Sequence, residues 1–257
     1  MHATRFALPL LQGSPARAST LLLFAALVSC ARPHVEGLRR DPTFTYESLH
    51  GGNIAVGGVT AVTDDDPPTP AARSQFEGLL ATALLEAYPR LKVVPAGAVA
   101  AALGEASHTE LLARYRLAGE LDSAARHDIY TRLENSRYVL FARIEADFTD
   151  NSETVTPDTA RKPKYETVKL AASRTMTVGF EVYDRSLGRS VWNGRLSAAD
   201  TAANTYVEQR GFVAALVTSM IRGEHKRPSP PSRTKVLRPL FEEFTESLPR
   251  PPKKPRH

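Results

Sequence analysis

The stretch that decides the fold is TMTVGFEVYDRSLGRSVWNGRL, residues Thr175–Leu196. Its first half alternates two sets of residues: Met176, Val178, Phe180 and Val182 on one side, and Thr175, Thr177 and Glu181 on the other. This period of two is typical of a strand with one buried face, which here extends back to Leu170. Asp184–Gly188 carries turn residues, and Arg189–Leu196 returns as a partner strand. The stretch therefore predicts an antiparallel hairpin.

Outward from the hairpin, strands alternate with helices. Short apolar runs predict three more strands: Asn53–Thr60, Leu91–Val94 and Tyr138–Ile144. Apolar residues at intervals of three and four predict a helix behind Ser74, with Glu77 at capping-box spacing. Further helical segments are predicted at four places: Ala98–Leu103, Thr109–Leu117, Ser123–Leu133 and Tyr206–Ile221. Asp150–Thr167 is polar and is predicted to be an insertion. The order β-α-β-α-β-β-β-α predicts an α/β fold, an α+β sandwich with helices on a mixed sheet of about five strands in a single domain.

The amino-terminal part contains a short apolar run, Leu21–Val28, that ends close to the only cysteine, Cys30. The run is too short to span a bilayer, which takes about 20 residues, but it suits the core of a signal peptide over residues 1–29. Leu27–Cys30 resembles the bacterial lipobox, in which a peptidase cuts before the cysteine and its thiol is diacylated. Ser29 and Cys30 are therefore the expected cleavage site, and Cys30 is the expected lipidation site. A buried free cysteine is the alternative interpretation.

The same resemblance implies a cellular location for the protein. Acyl chains on Cys30, palmitate among them, would anchor it to a membrane that it does not span. Ala31 follows the cysteine, where an aspartate would favour the inner membrane. We therefore expect a lipid-anchored protein of the outer membrane that faces the periplasm, with the inner membrane as the alternative.

The composition divides the mature chain into three parts: a polar stalk over residues 30–49, an α/β domain over 50–223 and a Pro-rich basic tail over 224–257. Val236–Leu248 within the tail contains apolar residues, so a short docking helix is a second interpretation of this segment. Removal of residues 1–29 takes two of the 33 basic residues and none of the 28 acidic ones, so the mature chain carries a net charge of +3. That charge is too small for a dedicated nucleic-acid-binding protein, and we expect no nucleic-acid partner.

The order of elements and the hairpin Val182-Tyr-Asp184…Gly188-Arg-Ser-Val-Trp192 together resemble a family of periplasmic lipoproteins. Its members share the fold of the amino-terminal domain of the Tol propeller protein, the curli secretion lipoprotein and the penicillin-binding-protein activator B. The resemblance covers residues 50–223. It implies a protein without catalytic residues that binds an envelope protein or associates with itself.

No group of residues in the sequence is typical of a catalytic or metal site. The glycines of Gly51–Gly58 lack the Lys-Ser/Thr pair of a phosphate loop and indicate close packing or a bulge. Arg126-His127-Asp128 is half of a metal phosphohydrolase signature, and Asp64-Asp65-Asp66 is predicted to be a solvated loop. We therefore expect no catalytic residue, no metal ligand and no cofactor.

These observations favour a non-catalytic, membrane-anchored periplasmic lipoprotein that serves as a protein-binding or assembly module of the cell envelope. One alternative is a structural lipoprotein whose basic tail binds anionic cell-wall polymer. A less favoured alternative is a hydrolase whose residues are not recognisable. Tyr183 and Trp192 are predicted to be core aromatics, with a partner surface as the second interpretation, because both residue types are enriched at interfaces.

Overall fold

A computed structural model of the protein describes residues 34–62, 68–157, 165–209 and 227–251. In these residues, six strands form one mixed sheet in the order β1-β6-β5-β4-β2-β3. The strands are β1 (His34–Arg40), β2 (Ile54–Ala61), β3 (Val93–Val94), β4 (Tyr138–Pro157), β5 (Tyr165–Asp184) and β6 (Arg189–Gln209). The helices are α1 (Tyr46–Gly51), α2 (Pro70–Ala87), α3 (Ala96–Leu103), α4 (Glu105–Ala118), α5 (Ser123–Arg132) and α6 (Arg233–Ser247). The predicted fold class is confirmed, with six strands where about five were expected.

The sheet is parallel on one side and antiparallel on the other. Strand β2 pairs in parallel with β3 and β4, whereas β4, β5, β6 and β1 pair antiparallel in succession. Helix α2 connects β2 to β3, and helices α3, α4 and α5 connect β3 to β4. Crossover helices of this kind cover sheet faces and bury them.

Each face of the sheet carries its own hydrophobic cluster. On one face, called the α2 face here, helices α1, α2 and α6 pack on even-numbered residues of β4 and β5 such as Leu140, Val178 and Phe180. On the other, the α4 face, helices α3, α4 and α5 pack on Val139 and Phe141. Successive side chains of a strand point to opposite faces, so the predicted alternation of β5 matches these two clusters.

The hairpin of β5 and β6 forms as predicted, with Asp184 next to Arg189 at its turn. The carboxylate of Asp184 accepts hydrogen bonds from the backbone N–H groups of Ser186 (2.8 Å) and Leu187. Tyr183 and Trp192 are both buried, with 2% and 0% of their surface exposed. The interpretation of these two residues as a partner surface is therefore corrected: both side chains lie in the core.

Gly57 and Gly58 form the bulge that their sequence indicates. The register of β2 against β4 shifts between Val56 and Gly58. A Cβ atom on Gly57 would lie 2.4 Å from the ring of Phe141, so only glycine fits against this ring. The backbone N–H of Val59 donates to Glu77 Oε1 (3.3 Å), so Glu77 does not take part in the predicted capping box.

Thr69, and not Ser74, caps helix α2. Its hydroxyl oxygen accepts a hydrogen bond from the backbone N–H of Ala72 (3.2 Å), and Pro70 occupies the first helical position. Proline is favoured there because it lacks the N–H that a helix start leaves unpaired. The helix therefore begins five residues earlier than the capping-box pattern indicates.

Three strands are longer than predicted, and their additional residues correct two predictions. Strand β4 continues to Pro157 and β5 begins at Tyr165, so most of the segment predicted as an insertion is strand. Strand β6 continues to Gln209, so residues 206–209 are extended where a helix was predicted. The rest of that helix, residues 210–221, lies outside the described residues.

The predicted domain boundaries are too narrow on both sides. Residues 34–40, assigned to the stalk, form β1 and pair with β6. Residues 233–247, assigned to the tail, form helix α6, and Phe244 of this helix is stacked on Phe180 with ring centroids 4.4 Å apart. The tail is thus part of the α2-face core because apolar residues recur along one side of α6.

Candidate functional site

The most distinctive surface is a three-stranded extension of the sheet, called the arm here, made of residues 147–157, 165–176 and 198–209, in which Val168, Leu170 and Ala172 of β5 are buried. Strand β2 ends opposite Ile144 of β4, and β1 ends opposite Ser197 of β6. Beyond these points β4, β5 and β6 pair only with one another in the part of the chain that the structure describes. At about 3.3 Å per residue, the 13 residues from Glu145 to Pro157 reach roughly 43 Å past the last contact with β2.

Within the described residues, neither outer edge of the arm is paired with a further strand. Among the described residues, no strand pairs with β4 beyond Ile144 or with β6 beyond Ser197. Edge strands are commonly protected by lysine or proline, which discourage the addition of a further strand. Residues 147–156 and 198–209 contain no lysine, arginine or proline. These edges therefore carry acidic residues, but no lysine or internal proline, as protection against strand addition.

The α4 face of the arm combines small residues with exposed apolar ones. Phe148 and Val207 expose 67% and 62% of their surface, and Tyr165 is also exposed. Between them lie six alanine, serine and threonine residues in cross-strand register: Thr175, Ala199, Ser173, Thr201, Ala171 and Ala203. Phe148 lies opposite Thr175 near the base of this face, whereas Tyr165 and Val207 lie near its far end, so the exposed apolar residues stand at both ends of the small-residue strip.

The base of the arm is held to helix α6 by ion pairs. Arg233 Nε lies 2.6 Å from Asp147 Oδ2, and Arg174 Nη1 lies 3.6 Å from the same oxygen. Lys235 Nζ lies 2.7 Å from Asp200 Oδ2 on the opposite edge strand. Asp147 is nearly inaccessible to solvent, so its pairs are screened less by salt than surface pairs. Helix α6 therefore fixes the point at which the arm leaves the domain.

A buried carboxyl group lies beside the hairpin, at Glu181 on the α4 face. It is 2% exposed, and its Oε1 accepts a hydrogen bond from the hydroxyl of Ser190. Burial raises the pKa of Glu181, against the opposing effect of the Ser190 hydrogen bond and the Arg126 charge. In the sequence, Glu181 could be recognised only as a polar residue of an alternating strand. The sequence does not show that helices pack over it.

The structure does not bring the other predicted candidates together. Ser29, Cys30 and Asp64–Asp66 lie outside the described residues. His127 is exposed on α5. Within the described residues no group of three or more histidine, cysteine, aspartate or glutamate side chains could hold a metal ion. None of the described helices is long and apolar enough to cross a membrane.

Comparisons with known proteins give partial structural matches. No family model matches the sequence, and no curated protein sequence matches it. The chain is similar to the PelC dodecamer from Paraburkholderia phytofirmans, with 18% identity and a TM-score of 0.33, over 81% of this chain and 97% of that chain. It is also similar to the lipoprotein GNA1162 from Neisseria meningitidis, with 13% identity and a TM-score of 0.26, over 67% of this chain and 96% of that chain. A third match is the LpoB C-terminal domain from Salmonella enterica, with 13% identity and a TM-score of 0.27, over 58% of this chain and 82% of that chain. These TM-scores are too low to transfer a function, which has to follow from the residues of this chain.

Proposed function

We propose that the protein is a non-catalytic, lipid-anchored module of the cell envelope that binds another polypeptide through the edges of its arm. The observation that carries this proposal is the arm itself, whose two edge strands lack lysine, contain no proline before Pro157, and expose Phe148 and Val207 on the α4 face. A second chain, or a second copy of this one, would add a strand to one of these edges.

Strand addition supplies affinity through the backbone. Along an edge strand every second residue turns its N–H and C=O groups outward, so ten residues of β4 offer about five such pairs. An added strand satisfies them, and side chains of the neighbouring face then determine which strand fits. On the arm, exposed Phe148, Tyr165 and Val207 supply that selective contact.

The membrane attachment is proposed from the sequence. Processing before Cys30 and acylation of its thiol would place the domain at a membrane, with the outer membrane favoured by Ala31. Anchoring two partners to one surface raises their effective concentration, so a modest edge affinity is sufficient for assembly.

The alternative in which the tail binds cell-wall polymer is less well supported. Helix α6 uses its apolar side in the core, and two of its cations, Arg233 and Lys235, are paired with Asp147 and Asp200. These charges are not available to an anionic polymer. The polymer interpretation therefore loses part of the basic surface on which it relied.

A pair of proline variants tests the role of the β4 edge. Asn151 and Ser152 are neighbours on β4, are both exposed and lie opposite Ala172 and Ala171 of β5. Successive N–H groups of a strand point to opposite sides, so one of the two variants, Asn151→Pro or Ser152→Pro, removes a bond to β5 and the other blocks only the outer edge. Thermal unfolding distinguishes the two variants, because only the variant that removes a hydrogen bond to β5 destabilises the sheet.

The readout is photo-cross-linking in cells that produce the full chain, with a benzophenone amino acid in place of Val155. The expected result is a specific adduct, with a second copy or another envelope protein, that disappears in the proline variant of unchanged melting temperature. An adduct that persists in that variant, or no adduct at all, would show that the β4 edge binds no polypeptide.

A separate experiment tests the proposed lipid anchor at Cys30. The intact mass of the protein from detergent extracts should lack residues 1–29 and include acyl chains, and Cys30→Ser should abolish both changes. An unprocessed chain in the soluble fraction would contradict the proposed attachment.

A further inference from the structure

The α4 face of the sheet carries a second feature, a polar groove of about 450 Å³ between the carboxyl end of α4 and strand β1. Its charged and polar lining comes from four strands: Glu36 and Arg39 of β1, Arg143 and Glu145 of β4, Gly179 of β5, and Asn193 and Arg195 of β6. The groove lies on the domain and not on the arm, so it is a separate surface.

A bulge in β1 turns two charged side chains toward the groove. The register against β6 shifts between Glu36 and Arg39, so that Glu36 lies opposite Arg195 and Arg39 lies opposite Asn193. Residues three apart on a regular strand would point to opposite faces. Gly37 takes the left-handed conformation that the bulge needs, with φ of 62°. Bulges are often found where a side chain has to be re-aimed.

A second bulge, in β4, places a carboxylate in the groove. The register against β5 shifts between Ile144 and Ala146, which leaves Glu145 as the extra residue. Its Oε1 lies 3.1 Å from Arg143 Nη2, and its Oε2 lies 2.8 Å from Arg195 Nε. One carboxylate is thus held between two guanidinium groups.

Gly179 provides the space for this carboxylate. It lies between Arg143 and Arg195 in cross-strand register. A Cβ atom on Gly179 would be 2.9 Å from Glu145 Oε1. The carboxylate of Glu145 therefore occupies the space that a side chain on Gly179 would fill. Its contacts show that the groove has the dimensions and the donors to hold a carboxylate.

The rim of the groove keeps further donors. Arg39 and Asn193 make no side-chain hydrogen bond or ion pair with the described residues, and Arg195 uses only its Nε, with 62% of its side chain exposed. The three arginines of the lining outnumber its two glutamates. Arginine is well suited to carboxylates because its planar fork can donate two parallel hydrogen bonds.

We propose that this groove binds an acidic peptide segment of a partner protein, with Arg39 and Arg195 contacting its carboxylates and Asn193 donating to or accepting from its backbone. The proposal rests on the proposed protein-binding function but uses a different surface. Arg39 and Arg195 can contact one or two carboxylates of such a segment, whereas nucleic-acid binding depends on several cationic contacts to successive phosphates.

The experiment uses the full chain in detergent and a dye-labelled decapeptide of alternating glutamate and glycine, followed by fluorescence anisotropy. We expect saturable binding that added salt weakens, and much weaker binding of the same peptide with glutamine in place of glutamate. Arg39→Gln and Arg195→Gln should each weaken binding by about threefold, and Glu36→Gln should strengthen it.

Arg238→Gln is the matched control, because Arg238 is exposed on α6 over the other face of the sheet and the substitution removes the same charge. It should leave the affinity unchanged. Equal binding of the glutamine peptide, or equal weakening by Arg238→Gln, would overturn the proposal. Thermal unfolding of each variant separates loss of binding from loss of fold. The edge-blocking proline on β4 should not alter peptide binding, so failure of the arm and failure of the groove are distinguishable.

Discussion

Replacement of Phe244 by alanine should remove a large part of the stability of the domain, even though the sequence places this residue in a Pro-rich tail. Phe244 is fully buried in α6. Its ring is stacked on Phe180 at 4.4 Å between centroids and meets Trp192 edge-on at 5.0 Å. Trp192 is itself completely buried, so the variant would remove contacts from the interior of the core.

The magnitude follows from these contacts. Loss of the buried phenylalanine surface costs about 1.5–3 kcal/mol, and the cavity and the two aromatic contacts add to it. Phe→Ala changes in protein cores accordingly cost about 3–5 kcal/mol. Domains of this size have total stabilities of about 5–15 kcal/mol. At about 2–4 °C per kcal/mol, the melting temperature should fall by roughly 6–20 °C.

Urea and thermal unfolding of the full chain measure this loss. Phe148→Ala in the arm is the matched control, because the same atoms are removed from a side chain that is 67% exposed. It should change the free energy of unfolding by less than about 0.5 kcal/mol. A loss of under about 1 kcal/mol for Phe244→Ala, or equal losses for the two variants, would refute the assignment of α6 to the core. Deletion of residues 226–257 should likewise prevent folding and not merely release a tail.

Three further predictions concern the α4 face of the sheet. Gly57→Ala should lower the melting temperature by several degrees, because the new Cβ would lie 2.4 Å from the Phe141 ring. Gly179→Ala should cost much less, because its Cβ would meet only the mobile end of Glu145, and equal losses in thermal scans would contradict this comparison. Burial raises the pKa of Glu181 above its usual 4.5, so the folded state binds its proton more tightly and loses stability as pH rises from 4.5 through the raised pKa. Glu181→Gln should therefore gain stability relative to the natural protein as pH rises above 4.5, and a difference that does not change with pH would reject this account.

The fold class could be predicted because it depends on local periodicity. Alternation along Thr175–Val182 and the turn residues of Asp184–Gly188 produced the hairpin and the correct face for each side chain. Helical spacing behind Ser74 likewise predicted α2, although the helix begins at Pro70. Such patterns are readable because a strand or helix with one buried face repeats its apolar residues at its own period.

The arm could not be predicted in the same way. Residues 149–154 of β4 are polar on both sides, since neither face is buried there. An extended segment of this kind has no alternation to detect, and its strand conformation depends on pairing with β5. Helix α6 was different, because Val236, Leu240 and Phe244 recur at a spacing of four. That signal was present, but the surrounding prolines and charges favoured a linker.

The groove could not be predicted from the sequence either. Its residues come from four strands that are up to 159 positions apart, from Glu36 to Arg195. Two bulges decide which of them share a face, and a shift of one residue in register would turn each side chain to the other side. Such a shift leaves composition and spacing unchanged.

The sequence by itself determined the α+β class, the central hairpin, most of the helices and the expectation of a lipid anchor at Cys30, because each depends on residues that are close together in the chain. Only the tertiary structure decided that Trp192 and the helix of the tail are core, that β4, β5 and β6 extend past their pairing with β1 and β2, and that arginines from β1, β4 and β6 line one groove. These features depend on strand register and on burial by distant segments, and both are properties of the folded chain.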